Sequence, residues 1–148
     1  MTTRKANASK HADMHNIEEA SKIVNKALDS YKADFMKLVQ EYASSCESQG
    51  EQYCDFMVDI GSMMNGTWHI TAICDFKGVP EFKEFDWYEL LNIDEENMPE
   101  DDMLGLLNNS YKLDYIWLIE QLTLSKKQIK YVEVRLYHNG SNEYQPLA

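Results

Sequence analysis

Fourteen aspartates and glutamates stand between residues 51 and 110 against only Lys77 and Lys83. The remainder of the chain is close to neutral, so the formal net charge of −11 resides in the middle of the sequence. Carboxylates at that density can hold a cation, move a proton or meet a basic partner. Each chemistry makes a different demand on spacing.

Asp94, Glu96, Glu100, Asp101 and Asp102 are the residue types that Ca²⁺ takes, but they lack the alternating loop-and-glycine spacing of an EF-hand, and Pro99 falls where a ligand loop must curl. Asp55, Asp59 and Asp75 with His69 are a weaker set, because the outer face of a sheet offers no cage. No metal is expected. His69 with Cys54 or Cys74 has the composition of a thiol–imidazole nucleophile pair. Strand alternation sends both cysteines to the apolar face and His69 to the other, so buried, inert thiols are expected. There is no glycine-rich loop before a helix, hence no phosphate cradle and no cofactor. The chain reads as a non-enzyme.

The third chemistry fits best. Phe82, Phe85, Trp87 and Tyr88 are interleaved with Glu81, Glu84, Asp86 and Glu89, and aromatic anchors rimmed by carboxylates suit an arginine-rich surface. The expected partner-binding set is Asp55, Asp59, Asp75, Glu81, Glu84, Asp86, Trp87, Glu89, Asp94, Glu95, Glu96, Glu100, Asp101 and Asp102. The competing explanation is a solubilising surface, the usual role of like-charge runs. Direct nucleic-acid binding is disfavoured, since Lys126, Lys127, Lys130 and Arg135 are outweighed by the acidic block.

The elements that must position these residues follow from periodicity. Ile17, Val24, Leu28, Tyr31, Phe35, Leu38 and Tyr42 recur at helical spacing, predicting an amphipathic helix from about Ile17 to Cys46. Residues 53–62 and 67–77 read as a β-hairpin. A three-residue loop at 64–66 pairs Ile60 with Ile70, Val58 with Ala72, Phe56 with Cys74 and Cys54 with Phe76. A two-residue turn at Asn65 and Gly66 would mix the faces. The preferred register sets Asp55 across from Asp75, a repulsive pair in need of a nearby cation.

Asp86 followed by Glu89 is a capping-box signature opening a short helix, and the acidic run that follows reads as a loop, with a short turn expected at Glu100. Ser110 is the expected cap of a second helix carrying Tyr111, Tyr115, Leu118 and Leu122. Residues 130–138 alternate as a strand, and Asn139 with Gly140 signals a two-residue turn into a short edge strand at 141–145. The fold class is α+β: a long N-terminal helix and further helices on a small, mainly antiparallel sheet built from two hairpins.

Residues 1–15 are polar and read as a flexible N-terminal tail, with 16–148 as one domain. The three cysteines, odd in number, together with the lack of an apolar leader or membrane-spanning run, point to a cytoplasmic protein with free thiols. In element order and acidity the chain is similar in outline to small bacterial toxin-immunity proteins and phage-encoded inhibitors. That likeness is one of architecture and charge. It implies an inhibitor or immunity protein, in effect a nucleic-acid mimic, covering a basic, nucleic-acid-handling surface of a partner protein. The alternative is a small acidic chaperone or assembly factor, acting as a homodimer through the long helix.

Overall fold

The structure is a computed structural model that describes residues 2–59, 67–74, 76–138, 141 and 143–147; the side chains of 2–16, 59 and 67–69 lie outside that description. Its elements are α1 (Thr2–Ser48), β1 (Tyr53–Asp59), β2 (Thr67–Ala72), β3 (Phe85–Asp86), α2 (Trp87–Leu90), α3 (Glu100–Gln128), β4 (Glu133–His138) and β5 (Tyr144–Gln145). The α+β class is as predicted. The backbone of α1 starts at Thr2 and so includes most of the segment read as a tail.

The strands form one mixed sheet in the order β3-β2-β1-β4-β5. The two predicted hairpins are both present, but β1 joins them by pairing with β4 in parallel, from Tyr53 beside Glu133 to Val58 beside His138. Parallel neighbours need a long crossover, and α3 supplies it. Both edge strands are only two residues long, which limits the unpaired backbone offered to another chain.

The β1–β2 register corrects the prediction. Phe56 faces Ala72 and Val58 faces Ile70, two residues away from the expected pairing. An even slip leaves every side chain on its predicted face, so alternation fixes the face but cannot choose between registers two apart. Asp55 consequently lies across from Ile73, whose N–H donates to its carbonyl at 3.0 Å, and not across from Asp75. Ile60 and Asp75 lie outside the described residues. In the second hairpin Tyr137 pairs with Tyr144, which leaves six residues between them where a two-residue turn at Asn139 and Gly140 would leave four.

One sheet face is covered. Cys54, Phe56 and Val58 of β1, Ile70 of β2, and Val134 and Leu136 of β4 join one hydrophobic cluster with α1 and α3. In α1 the buried stripe runs Val24, Leu28, Tyr31, Phe35, Val39, Tyr42 and Cys46. Val39 takes the place expected for Leu38, and Ile17 is exposed. Phe35 packs on Trp117 of α3 at 5.1 Å between ring centroids, and Tyr42 meets Phe56 edge-on at 5.1 Å. A buried aromatic core of this kind holds the α1–α3 layer against the sheet.

The helix predicted to begin at Ser110 begins ten residues earlier. Glu100, Asp101 and Asp102 occupy the first turn of α3, where negative charge favours the exposed N–H groups of a helix start, and Lys126 and Lys127 occupy its last turn. Ser110 is a buried mid-helix residue whose hydroxyl donates to the Leu106 carbonyl at 2.9 Å. Among the described residues no helix is long and apolar enough to cross a membrane.

Candidate partner-binding surface

The acidic residues reach their positions through the connection between β2 and α3. Phe82 is drawn inward, its ring 5.6 Å from those of Phe35 and Phe56, and this leaves Glu81 and Glu84 exposed on either side. Asp86 caps α2 as predicted: its backbone is extended and its Oδ1 accepts the Glu89 N–H at 3.3 Å. Asp94 shapes the next loop, accepting the Glu96 N–H at 3.1 Å and the Asn97 side-chain amide at 2.6 Å. Those bonds, the Asn97 amide first, hold its carboxyl below the usual range. Glu89, Glu95, Glu96, Glu100 and Asp101 are exposed and Asp102 is half-buried.

This connection runs along one flank of α1. Glu81, Phe82 and Lys83 line an open groove of about 510 Å³ with Tyr31, Asp34, Lys37, Leu38 and Glu41. Leu91, Asn92 and Met98 lie across from Glu19, Ala20 and Ile23, and Asp101 and Asp102 lie across from Ile17. From Glu41 back to Ile17 the helix spans about 35 Å at 1.5 Å per residue. Ten carboxylates and the single Lys83 fall in residues 81–102; Glu81, Asp101 and Asp102 border α1, whereas Glu84 lies beside Ile70, Thr71 and Ala72 of β2. Among the described residues none of those ten lies within ion-pair distance of a cation, although Lys37 and Lys83 line the groove beside Glu81.

The other expected members stand apart. Asp55 is on the uncovered sheet face, gripped by Arg135 of β4: Nε donates to Oδ1 at 2.7 Å and Nη2 to Oδ2 at 2.8 Å. The guanidinium also lies 3.5 Å over the Tyr53 ring, with Tyr144 at 5.2 Å and Tyr137 at 5.7 Å. Asp55 therefore spends its charge inside the molecule. Asp59 ends β1 opposite His69 in the backbone register, with its side chain outside the described residues, as is Asp75 altogether.

Trp87 is not an exposed anchor. It is fully buried, stacked on Phe85 at 5.1 Å, and its indole N–H donates to Asp114 Oδ2 at 2.9 Å. Asp114 is a residue the sequence reading passed over. It sits on the buried face of α3 with Ser110, Gln121 and Ser125, and burial pushes its carboxyl up to about 9 against the lowering effect of the Trp87 bond. Among the described residues its Oδ1, the Gln121 Oε1 and the Trp117 Nε1 have no hydrogen-bond partner. The available signal was phase: residues 110, 114, 121 and 125 are polar at steps of four or seven, on the stripe where Leu118 and Leu122 also fall.

Among the described residues no group of three or more His, Cys, Asp or Glu side chains is arranged to hold a metal ion. The fold and this surface define a mixed-sheet α+β domain with an acidic flank. No family model, curated protein or solved structure matches the chain.

Proposed function

We propose that the chain is a non-enzymatic binding protein whose acidic flank covers a basic surface of a protein partner, acting as an inhibitor or immunity protein. The observation that supports this reading is the run of ten carboxylates at 81–102, none within ion-pair distance of a cation among the described residues, with Glu81, Asp101 and Asp102 beside α1 and Asp34 and Glu41 of α1 adding to it. Stripes of one charge sign focus the field outward, steer an oppositely charged partner and speed its association. A nucleic-acid-handling protein presents the matching surface, because its own ligand is a line of phosphates.

In the alternative, an acidic chaperone acting as a dimer, α1 would be the pairing surface. Its apolar stripe from Val24 to Cys46 is consumed by α3 and the sheet, so the observations favour the first reading.

The test is affinity capture from the cells that encode the chain, at about 50 and about 200 mM salt, ionic strengths that bracket strong and weak screening. The charge-neutralised variant Glu81→Gln/Glu84→Gln/Glu89→Gln/Glu95→Gln/Glu96→Gln serves as control. A basic protein retained at low salt, weakened at high salt and lost with the variant is the expected result. Equal retention by wild type and variant would sink the proposal.

A further inference from the structure

Three cysteines from α1, β1 and the segment after β2 share one corner of the fold. Cys46 ends the buried stripe of α1, Cys54 enters β1, and Cys74 follows β2. The Sγ atoms of Cys46 and Cys74 are 3.9 Å apart. All three are free thiols; Cys46 and Cys54 are buried, whereas Cys74 is partly open to solvent. Tyr42, one helical turn before Cys46, fastens this corner: its hydroxyl donates to the Asp55 carbonyl at 2.8 Å and accepts the Cys74 N–H at 3.2 Å.

We propose that Cys46 and Cys74 form a redox site, in which a peroxide oxidises Cys74 and Cys46 resolves the product into an intramolecular disulfide. Three observations carry it. The sulfurs need to approach by only about 1.9 Å to reach the 2.05 Å bond length of a disulfide. Only one of the pair is accessible, which assigns the roles of attacking and resolving sulfur. The Cys74 N–H is tied to the hydroxyl of Tyr42, which stands one turn before Cys46 on α1, so the pair is held together before any oxidant arrives.

The chemistry balances in two steps. The Cys74 thiolate attacks one peroxide oxygen, the O–O bond breaks, and the departing hydroxide takes up the thiol proton to leave as water. That gives a sulfenic acid on Cys74. The Cys46 sulfur then attacks the sulfenic sulfur, the S–S bond forms as the S–O bond breaks, and the hydroxyl leaves with the Cys46 proton as a second water. Two thiols lose two electrons and the peroxide gains them. Burial, followed by the neighbouring Cys74, pushes the Cys46 thiol up to about 12, so it stays protonated until an electrophilic sulfur appears beside it. Cys54 is raised by burial as well and adjoins Cys46, which makes it the competing resolver.

The experiment treats the full chain with one equivalent of hydrogen peroxide and follows thiol titration, intact mass and non-reducing peptide mapping. The expected result is loss of two of the three thiols, a mass lower by two hydrogens, and a single cross-linked peptide pair containing Cys46 and Cys74. Cys54→Ser should give the same product and Cys74→Ser none. A Cys46–Cys54 bridge, a sulfinic acid on Cys74 without a bridge, intermolecular dimers, or no reaction would each overturn the assignment. The wild-type peptide map decides the matter even where a variant fails to fold.

Discussion

Arg135 and Asp55 face each other across the parallel β1–β4 ladder, with Nε and Nη2 of the guanidinium each donating to one carboxylate oxygen, at 2.7 and 2.8 Å, and each side chain is less than one-fifth exposed. The pair explains how an aspartate can sit on a strand flanked by Tyr53 and Tyr137 without penalty. Its surroundings are aromatic and partly dry, so each charge is compensated by its partner more than by water.

Removing one partner should therefore cost more than removing both. Arg135→Met leaves a half-covered carboxylate and should lower stability by about 2 kcal/mol, whereas Asp55→Asn/Arg135→Met should recover part of that loss. Arg135→Lys keeps the charge but loses the two-point grip and the stack on Tyr53, and should fall between. Equilibrium urea unfolding of the wild type, Arg135→Met, Asp55→Asn and the double variant gives the coupling directly.

Asp114 should give the protein an inverted pH response. Its carboxyl titrates near 9 in the folded chain against an ordinary value of 3.8, because burial opposes its charge. The folded state therefore holds a proton that the unfolded state releases. Its contribution to stability is complete below the unfolded value and is lost as pH rises through the folded one. Asp114→Asn keeps an acceptor for the Trp87 indole N–H and removes the titration. Unfolding free energies measured from about pH 5 to about pH 8 should fall for the wild type and flatten for the variant, the curves separating by a few kcal/mol at the alkaline end. Parallel curves would show that Asp114 ionises normally.

The helices and the sheet class were legible because apolar periodicity reports which face is buried. Val24, Phe35 and Tyr42 declare α1, and the alternation of Val132, Val134 and Leu136 declares β4. The parallel pairing of β1 with β4 was not legible, since alternation says nothing about which strand lies alongside. Cap chemistry was readable at Asp86 and misleading at Ser110, where the helix had already begun under Glu100 and the serine bonds backward to its own chain. Of the candidate surface, the ribbon at 81–102 was visible as a charge run. The loss of Asp55 to Arg135 and of Trp87 to Asp114 was not, because partners 80 and 27 residues away are a property of the fold.

Tyr42→Phe isolates the fastening of the thiol corner. The change leaves the ring packed on Phe56 but removes the donor to the Asp55 carbonyl and the acceptor of the Cys74 N–H. Two backbone groups lose a partner, and stability should fall by about 1–3 kcal/mol. Peroxide-driven formation of the Cys46–Cys74 bridge should slow in the same variant, read as the rate of thiol loss. A variant destabilised as expected but oxidised at the wild-type rate would show that the sulfurs are positioned by the strands alone.

The acidic ribbon should separate into carboxylates that build local structure and carboxylates that only project charge. Asp86→Ala deletes the cap of α2 and should cost about 1 kcal/mol. Asp94→Ala removes the acceptor for Glu96 and Asn97 and should loosen the loop between α2 and α3, seen as faster amide exchange there. Glu81→Gln, Glu84→Gln, Glu95→Gln and Glu96→Gln touch no such bond among the described residues, and each relieves repulsion within a run of like charge. They should leave stability unchanged or raise it slightly at low salt, with the gain vanishing as salt screens the run. Thermal unfolding at low and high salt distinguishes the two groups. Should the glutamine variants instead destabilise the fold at every salt concentration, those glutamates are structural, and the ribbon would have no charge to spare for a partner.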